Sequence, residues 1–366
     1  MFSQAVSQTV GVESGSAGGC VSASFSVAGG VAGGTFEEGG AFCRGFSCER
    51  EGAGGLDMGE GCAGASVSSS KDACRASLMA EETAISFCRD VRIGGACGPW
   101  GKGWTPIGTS FDNSYKGTFD GGGHTITGLT VTTNDKYAGL FGYIGNAGTV
   151  KNVVMEGVLI TSNNGSSQAG GVAGFSRGTI ENCSVSGSVS GTVYVGGVVG
   201  AQWGGSITGC SSSATVKGTV DVGGVAGQTN SNATMTACYA TGSMTLEIAS
   251  QNNIDVGGAV GFNGGSRILA CYATGNVTST GSSTVNVYIG GFCGYNSTTV
   301  TACYWKNNKE QGIGYNKVGT DTEVTKVDGT DVTWQKAVDA MNTALQNAGS
   351  EWRYELTGAL PTLRKQ

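Results

Sequence analysis

A glycine tetrad, G-x-x-G with an apolar residue in its second place, recurs six times along this chain. The copies are Gly139-Leu-Phe-Gly142, Gly171-Val-Ala-Gly174, Gly197-Val-Val-Gly200, Gly224-Val-Ala-Gly227, Gly258-Ala-Val-Gly261 and Gly291-Phe-Cys-Gly294. Successive first glycines are 32, 26, 27, 34 and 33 residues apart. Such spacing is the signature of a repeat architecture, in which one unit cannot bury its apolar side without its neighbours. An aliphatic residue stands two places before each later tetrad: Ala169, Val195, Val222, Val256 and Ile289.

A second signal follows each tetrad after a variable polar turn. Pairs of apolar residues three apart appear at Val150/Val153, Ile180/Cys183, Ile207/Cys210, Met235/Cys238, Ile268/Cys271 and Val300/Cys303. Six residues beyond the second member lies another apolar position, at Leu159, Val189, Val216, Met244 and Val277. Length varies in polar linkers such as 245–253 and 279–286. No helical period runs between the tetrads, and Val, Thr, Ile and Tyr dominate the short runs, as expected of strands. One repeat per coil predicts an all-β fold, a right-handed parallel β-helix whose coils stack at about 4.8 Å to make a rod roughly 30 Å long. Gly139, Gly171, Gly197, Gly224, Gly258 and Gly291 are read as structural, placed where the backbone turns sharply or is closely approached.

The stretch 103–131 reads as the first coil, with Trp104-Thr-Pro-Ile-Gly108 followed by Gly117-Thr-Phe-Asp-Gly-Gly-Gly-His-Thr-Ile-Thr-Gly-Leu-Thr-Val131. Together with the tetrads and with Cys238-Tyr-Ala-Thr-Gly242 and Cys271-Tyr-Ala-Thr-Gly275, this pattern resembles the GLUG-motif repeat proteins of gut bacteria. The resemblance covers about residues 103–305 and implies a surface adhesin that is displayed or secreted. It also implies a host or dietary glycan, or a surface protein, as partner. The same repeat accompanies some immunoglobulin-cleaving metallopeptidases, but no H-E-x-x-H zinc motif occurs here.

Composition bounds the rest. There are 67 Gly among 366 residues, yet only three Pro and no three-residue period, so collagen is excluded. The net charge of −6 without a Lys/Arg cluster gives no support to a nucleic-acid partner. No run of 18 apolar residues suggests a transmembrane helix. Residues 101–305 are assigned to the β-helix. Residues 306–366 are assigned to a small C-terminal α/β cap over its open end, with a helix starting after Thr333 and stopping near Gly349. Residues 1–100 show Gly/Ser/Ala/Cys clusters without strand or helix period and no secretion signal. They are read either as a low-complexity, disordered region or as a non-native, wrongly started segment.

Thirteen cysteines fall into two sets, seven before residue 100 and six after 180. Cys183, Cys210, Cys238, Cys271 and Cys303 share one repeat position and are expected to form an inward stack, because a straight file of thiols does not converge tetrahedrally on a metal. Cys43, Cys48, Cys62, Cys74, Cys88 and Cys97 lack C-x-x-C spacing, so no metal and no cofactor is assigned. Asp120 and His124 flank three glycines and are expected to tie a tight turn. Asp221 and Asp255 should neighbour each other at a solvent-facing position shared with Lys136, Gln168, Tyr194 and Tyr288. With Trp203 and Trp305, the residues Tyr194, Asp221, Asp255 and Tyr288 make the candidate contact surface. The expected function is non-enzymatic recognition of glycan or protein. The alternative is a carbohydrate-active β-helix enzyme, a polysaccharide lyase or glycoside hydrolase, which needs a cluster of carboxylates and bases that these coils supply only sparsely.

Overall fold

The computed structural model describes residues 104–248, 254–281, 285–319 and 323–366, and two short strands, Ile85–Ser86 and Val91–Arg92. The readings made for the rest of 1–100, including its cysteines, and for the centres of the two polar linkers lie outside the described residues.

The chain winds as a parallel β-helix. Each full coil visits four sheets in order, as in Tyr194–Gly196 (first sheet), Val199–Trp203 (second), Ser206–Thr208 (third), and Ser211–Ser212 with Thr215–Gly218 (fourth). Among the described residues these sheets hold six, seven, eight and thirteen strands, and their neighbouring strands pair in parallel register. Equivalent residues therefore stand in file. In the third sheet Phe119, Val150, Ile180, Ile207, Met235, Ile268 and Val300 are paired one above another, all buried. In the first sheet Ala138, Ala169, Val195, Val222, Val256 and Ile289 are likewise paired in file, buried except for the half-buried Ile289. At ~25 cal/mol per Å² of apolar surface, such continuous files supply the main driving force, and no single coil can supply it alone.

The tetrads sit where the first sheet hands over to the second, and both glycines answer to close approach; none of the twelve has a positive φ. A Cβ at Gly197 would overlap the Ser212 hydroxyl and the Gly224 carbonyl. One at Gly200 would overlap the Gly174 carbonyl and press on the backbone of the first sheet, at Ala169 N and Tyr194 O, 2.7 and 2.8 Å away. The two sheets thus meet backbone to backbone along a seam, and the repeated glycines are what allow it.

Positive φ occurs at a different corner, between the third and fourth sheets: Asn152, Asn182, Gly209, Ala237, Ala270 and Ala302, with φ between 48° and 65°. The next residue in each coil is Val153 or a ladder cysteine. Cys183, Cys210, Cys238, Cys271 and Cys303 are all buried and free, and each thiol reaches the carbonyl two residues before it at 3.2–3.4 Å. Those carbonyls already accept an amide from the preceding coil's corner, as Glu181 O does from Asn152 N at 3.0 Å. A small apolar residue with a weak donor suits that site. Burial pushes the Cys183, Cys238 and Cys271 thiols well above the ordinary thiol range.

Three expectations are corrected. The inward partner of Val189 is Ile160, not Leu159, which is 49% exposed. The strand Val154–Ser162 carries one extra residue at Gly157, a bulge that flips the following side chains. The repeat position of Gln168 is matched in the first coil by Tyr137, not Lys136. Residues Ile313–Asn316 and Val324–Lys326, assigned above to the cap, instead pair with Cys293–Asn296 and Cys303–Trp305 and prolong the β-helix.

The remaining C-terminal segment lies along the flank rather than across the end. The helix Trp334–Asn347 is capped by Thr333, whose hydroxyl accepts from Lys336 N, and an antiparallel pair, Trp352–Glu355 with Thr362–Lys365, follows it. Its apolar stripe, Trp334, Val338, Met341 and Leu345, packs with Tyr272, Tyr304, Leu269 and the corner alanines. Trp352 covers Gly209, and the Tyr354 hydroxyl donates to Ala270 O at 3.0 Å. Lys365 pairs with Glu181 at 2.8 Å, so this flap spans several coils.

Candidate functional site

Alternation along the first-sheet strands turns one file of side chains away from the apolar column: Tyr137, Gln168, Tyr194, Asp221, Asp255 and Tyr288. Across the seam, the residue after each tetrad forms a matching file on the second sheet: Tyr143, Phe175, Ala201, Gln228, Phe262 and Tyr295, then Tyr315. The two files make a composite strip, aromatic at both ends and acidic in the middle.

At the N-terminal end Tyr143 stacks on Phe175 at 4.6 Å between centroids, with Tyr137 and Trp203 at its margins. At the C-terminal end Phe262 stacks on Tyr295 at 4.7 Å, Tyr295 on Tyr315 at 5.3 Å, and Tyr288 lies 4.9 Å from Tyr315. The stacked faces cover one another, so the strip mostly offers ring edges and hydroxyls. Tyr315, in the last strand of its sheet, is 43% exposed.

Between the clusters runs a polar chain. Trp203 Nε1 donates to Gln228 Oε1 at 2.7 Å, and Gln228 Nε2 donates to Asp221 Oδ2 at 3.3 Å. Asp221 and Asp255 are register partners on adjacent coils. They are neighbours as expected, but they are not solvent-facing: their exposures are 4% and 3%. Desolvation, then the facing Asp255, pushes the Asp221 carboxyl well above its usual range; burial raises Asp255 to about 7.

Of the other predicted contact residues, Tyr194, Trp203 and Tyr288 are half-buried on the strip. Trp305 is corrected: it is 6% exposed and belongs to the core. It continues the column Val185, Ser212, Ala240, Ala273, and its indole lies on Gly291 and Gly312 with Nε1 donating to Lys309 O at 3.1 Å. Asp120 accepts from Gly122 N and Asn152 Nδ2, both at 2.9 Å, and pairs with Lys151 at 3.3 Å. Desolvation raises its pKa, but the bonds from Asn152 and Gly122 and the Lys151 charge outweigh that and hold it below the usual carboxylate range. His124 closes the same turn through its amide, which donates to Gly121 O. Among the described residues no three His, Cys, Asp or Glu side chains converge as a metal site. A groove of about 630 Å³ lies apart from the strip, between the flap helix and the end of the third sheet, with Arg267, Tyr304 and Glu323 facing Ala340 and Ala344.

The fold defines the class: a parallel β-solenoid with a short helix and a small C-terminal β element. The model of the GLUG motif matches residues 165–190 and 191–217, one coil each, so the chain carries GLUG repeats. Over 101 residues, 27% of this chain, it is 42% identical to Halomucin of Haloquadratum walsbyi. Over 102 residues, 28% of the chain, it is 35% identical to a protein of Evansella cellulosilytica provisionally named a Gly-rich membrane protein. The matched stretches span 1% and 12% of those relatives. Among solved structures, a Bacteroides ovatus protein provisionally named an immunoglobulin A1 protease superposes with a TM-score of 0.58 at 19% identity, covering 78% of this chain and 86% of that one. That likeness is one of fold. No helix among the described residues is long and apolar enough to cross a membrane.

Proposed function

We propose that the chain is a surface-displayed, non-enzymatic binding rod that recognises glycan or protein through the C-terminal end of the seam strip, where Tyr288, Tyr295 and Tyr315 gather. The observation that carries this reading is the aromatic file itself, which places ring edges and hydroxyls at the ~4.8 Å spacing of the coils on a rigid sheet. The names of the two relatives, Halomucin and a Gly-rich membrane protein, support a place at the cell surface. The alternative of a carbohydrate-active enzyme finds its best acid pair in Asp221 and Asp255, yet side chains 3–4% exposed offer a substrate no approach.

Incubating the full chain with a panel of host and plant glycans, then assaying retention and cleavage separately, tests the proposal. Selective retention without new reducing ends or unsaturated products is expected, weakened about fivefold or more by Tyr315→Ala, equivalent to roughly 1 kcal/mol. Cleavage products that depend on this chain would overturn it.

A further inference from the structure

Asp221 and Asp255 are an anomaly that recognition does not use. Two buried carboxyls sit as register partners on neighbouring coils, whose backbones are about 4.8 Å apart. Gln228 Nε2 is the donor that reaches Asp221, and Asp255 Oδ1 is buried with no donor at all. The titratable groups facing the pair are Tyr194 of the coil below, and Cys293 and Tyr295 of the second sheet above, with Tyr288 as Asp255's register neighbour. None of these is a base, and among the described residues no Lys or Arg acts on either carboxyl. Two negative charges here would be both desolvated and mutually repelled. One proton held between them removes a charge and supplies the missing donor.

We propose that Asp221 and Asp255 share a single proton in the folded chain and form an acid-tightened clasp between two coils, so that the seam loosens as pH rises. The clasp stands independently of any ligand. The sign follows from linkage: the folded pair binds a proton more tightly than the unfolded carboxyls, so the native state holds more protons between the unfolded range near 4 and the folded value. Stability is fully present below that window, falls as pH climbs through it, and levels off above it. By the raised value of Asp255 the window closes at about 7, and the shift of Asp221 has the same direction and the same cause, burial.

Thermal or denaturant unfolding of the full chain across pH 5–9 tests the clasp. The folding equilibrium of the wild type is expected to fall by up to about tenfold per pH unit below 7 through this pair. Asp255→Asn, and independently Asp221→Asn, should flatten that slope and be more stable than the wild type at pH 8, while the exposed control Asp112→Asn keeps it. Difference infrared spectra of the unsubstituted protein give a second reading that needs no variant: a buried carboxylic-acid band at pH 6 that disappears at pH 9. Slopes unchanged in both pair variants, or no such band, would overturn the proposal. So would a calcium-dependent rise in the wild-type melting temperature at pH 8 that Asp255→Asn abolishes, because the pair would then be a cation site.

Discussion

At the scale of single residues, the same amino acid does unlike work at different places in the coil. Gly197 is required because its Cβ would strike Ser212 and the next coil, whereas a Cβ at Gly165 would meet nothing within 4 Å. Gly197→Ala is therefore expected to destabilise by about 3 kcal/mol, by overpacking. Gly165→Ala should stay within about 0.5 kcal/mol, as surface changes do. Chemical denaturation of both variants makes the comparison. The ladder cysteines are packing residues: Val153 fills the same place one coil before Cys183, and Cys210→Val is expected to fold with a loss under about 1.5 kcal/mol. Alkylation mapped by mass spectrometry should find Cys183, Cys210, Cys238, Cys271 and Cys303 protected together and labelled together as the protein unfolds. Early labelling of one of them alone would show that the file is broken there.

At the scale of elements, the C-terminal flap shows how a solenoid's flank is finished. The corner between the third and fourth sheets brings Gly209, Ala237 and Ala270 to a smooth left-handed ridge, and Trp352 and Tyr354 lie on it. Gly209→Ala would force the indole off, and Trp352→Ala removes the same contact; the latter is expected to weaken flap docking by about 3–5 kcal/mol. Tyr354→Phe, losing hydroxyl bonds to Ala270 O and Cys238 O, should weaken it by about 1–2 kcal/mol. Limited proteolysis is the readout: cleavage after Val327 should quicken in that order while the coils stay resistant. Loss of the whole β-helix with the flap would mean that the two form one cooperative unit. Near the C-terminal end of the β-helix a large residue, Trp305, stands where earlier coils have Ser212, Ala240 and Ala273.

At the scale of the whole molecule, what could be read from the sequence was what repeats. Tetrad spacing, the apolar pair and the cysteine position are written into every coil because stacking imposes the same steric demand each time. Features that depend on how one sheet lies against another were hidden. Asp221 and Asp255 occupy a column turned away from the core, and polarity there suggests solvent; the glycine seam brings Gln228 over them. The aromatic file after the tetrads was present as Tyr143, Phe175, Phe262 and Tyr295 but reads as ordinary strand composition until the seam gives it a partner file. Trp305 was legible in hindsight, since Cys303-Tyr-Trp305 aligns with Cys271-Tyr-Ala273 and so points inward. The bulge at Gly157 is matched by Gly128 in the coil before it but by no residue in the coil after it, so counting from the later coils misses it.

The central claim is that the repeats stack coaxially, in parallel and in fixed register. Thr245 and Thr278 test it most directly, for they are register partners on adjacent coils, half-buried and exposed respectively, with hydroxyl oxygens 3.3 Å apart. With both replaced by cysteine (Thr245→Cys/Thr278→Cys), mild oxidation and peptide mapping should recover a 245–278 disulfide in the folded chain. The pair Thr245→Cys/Ser279→Cys, one residue out of register and turned to the other side of its strand, should give none. Equal cross-linking of the two pairs, or none in the first, would contradict the stacked register on which the seam, the strip and the clasp all depend.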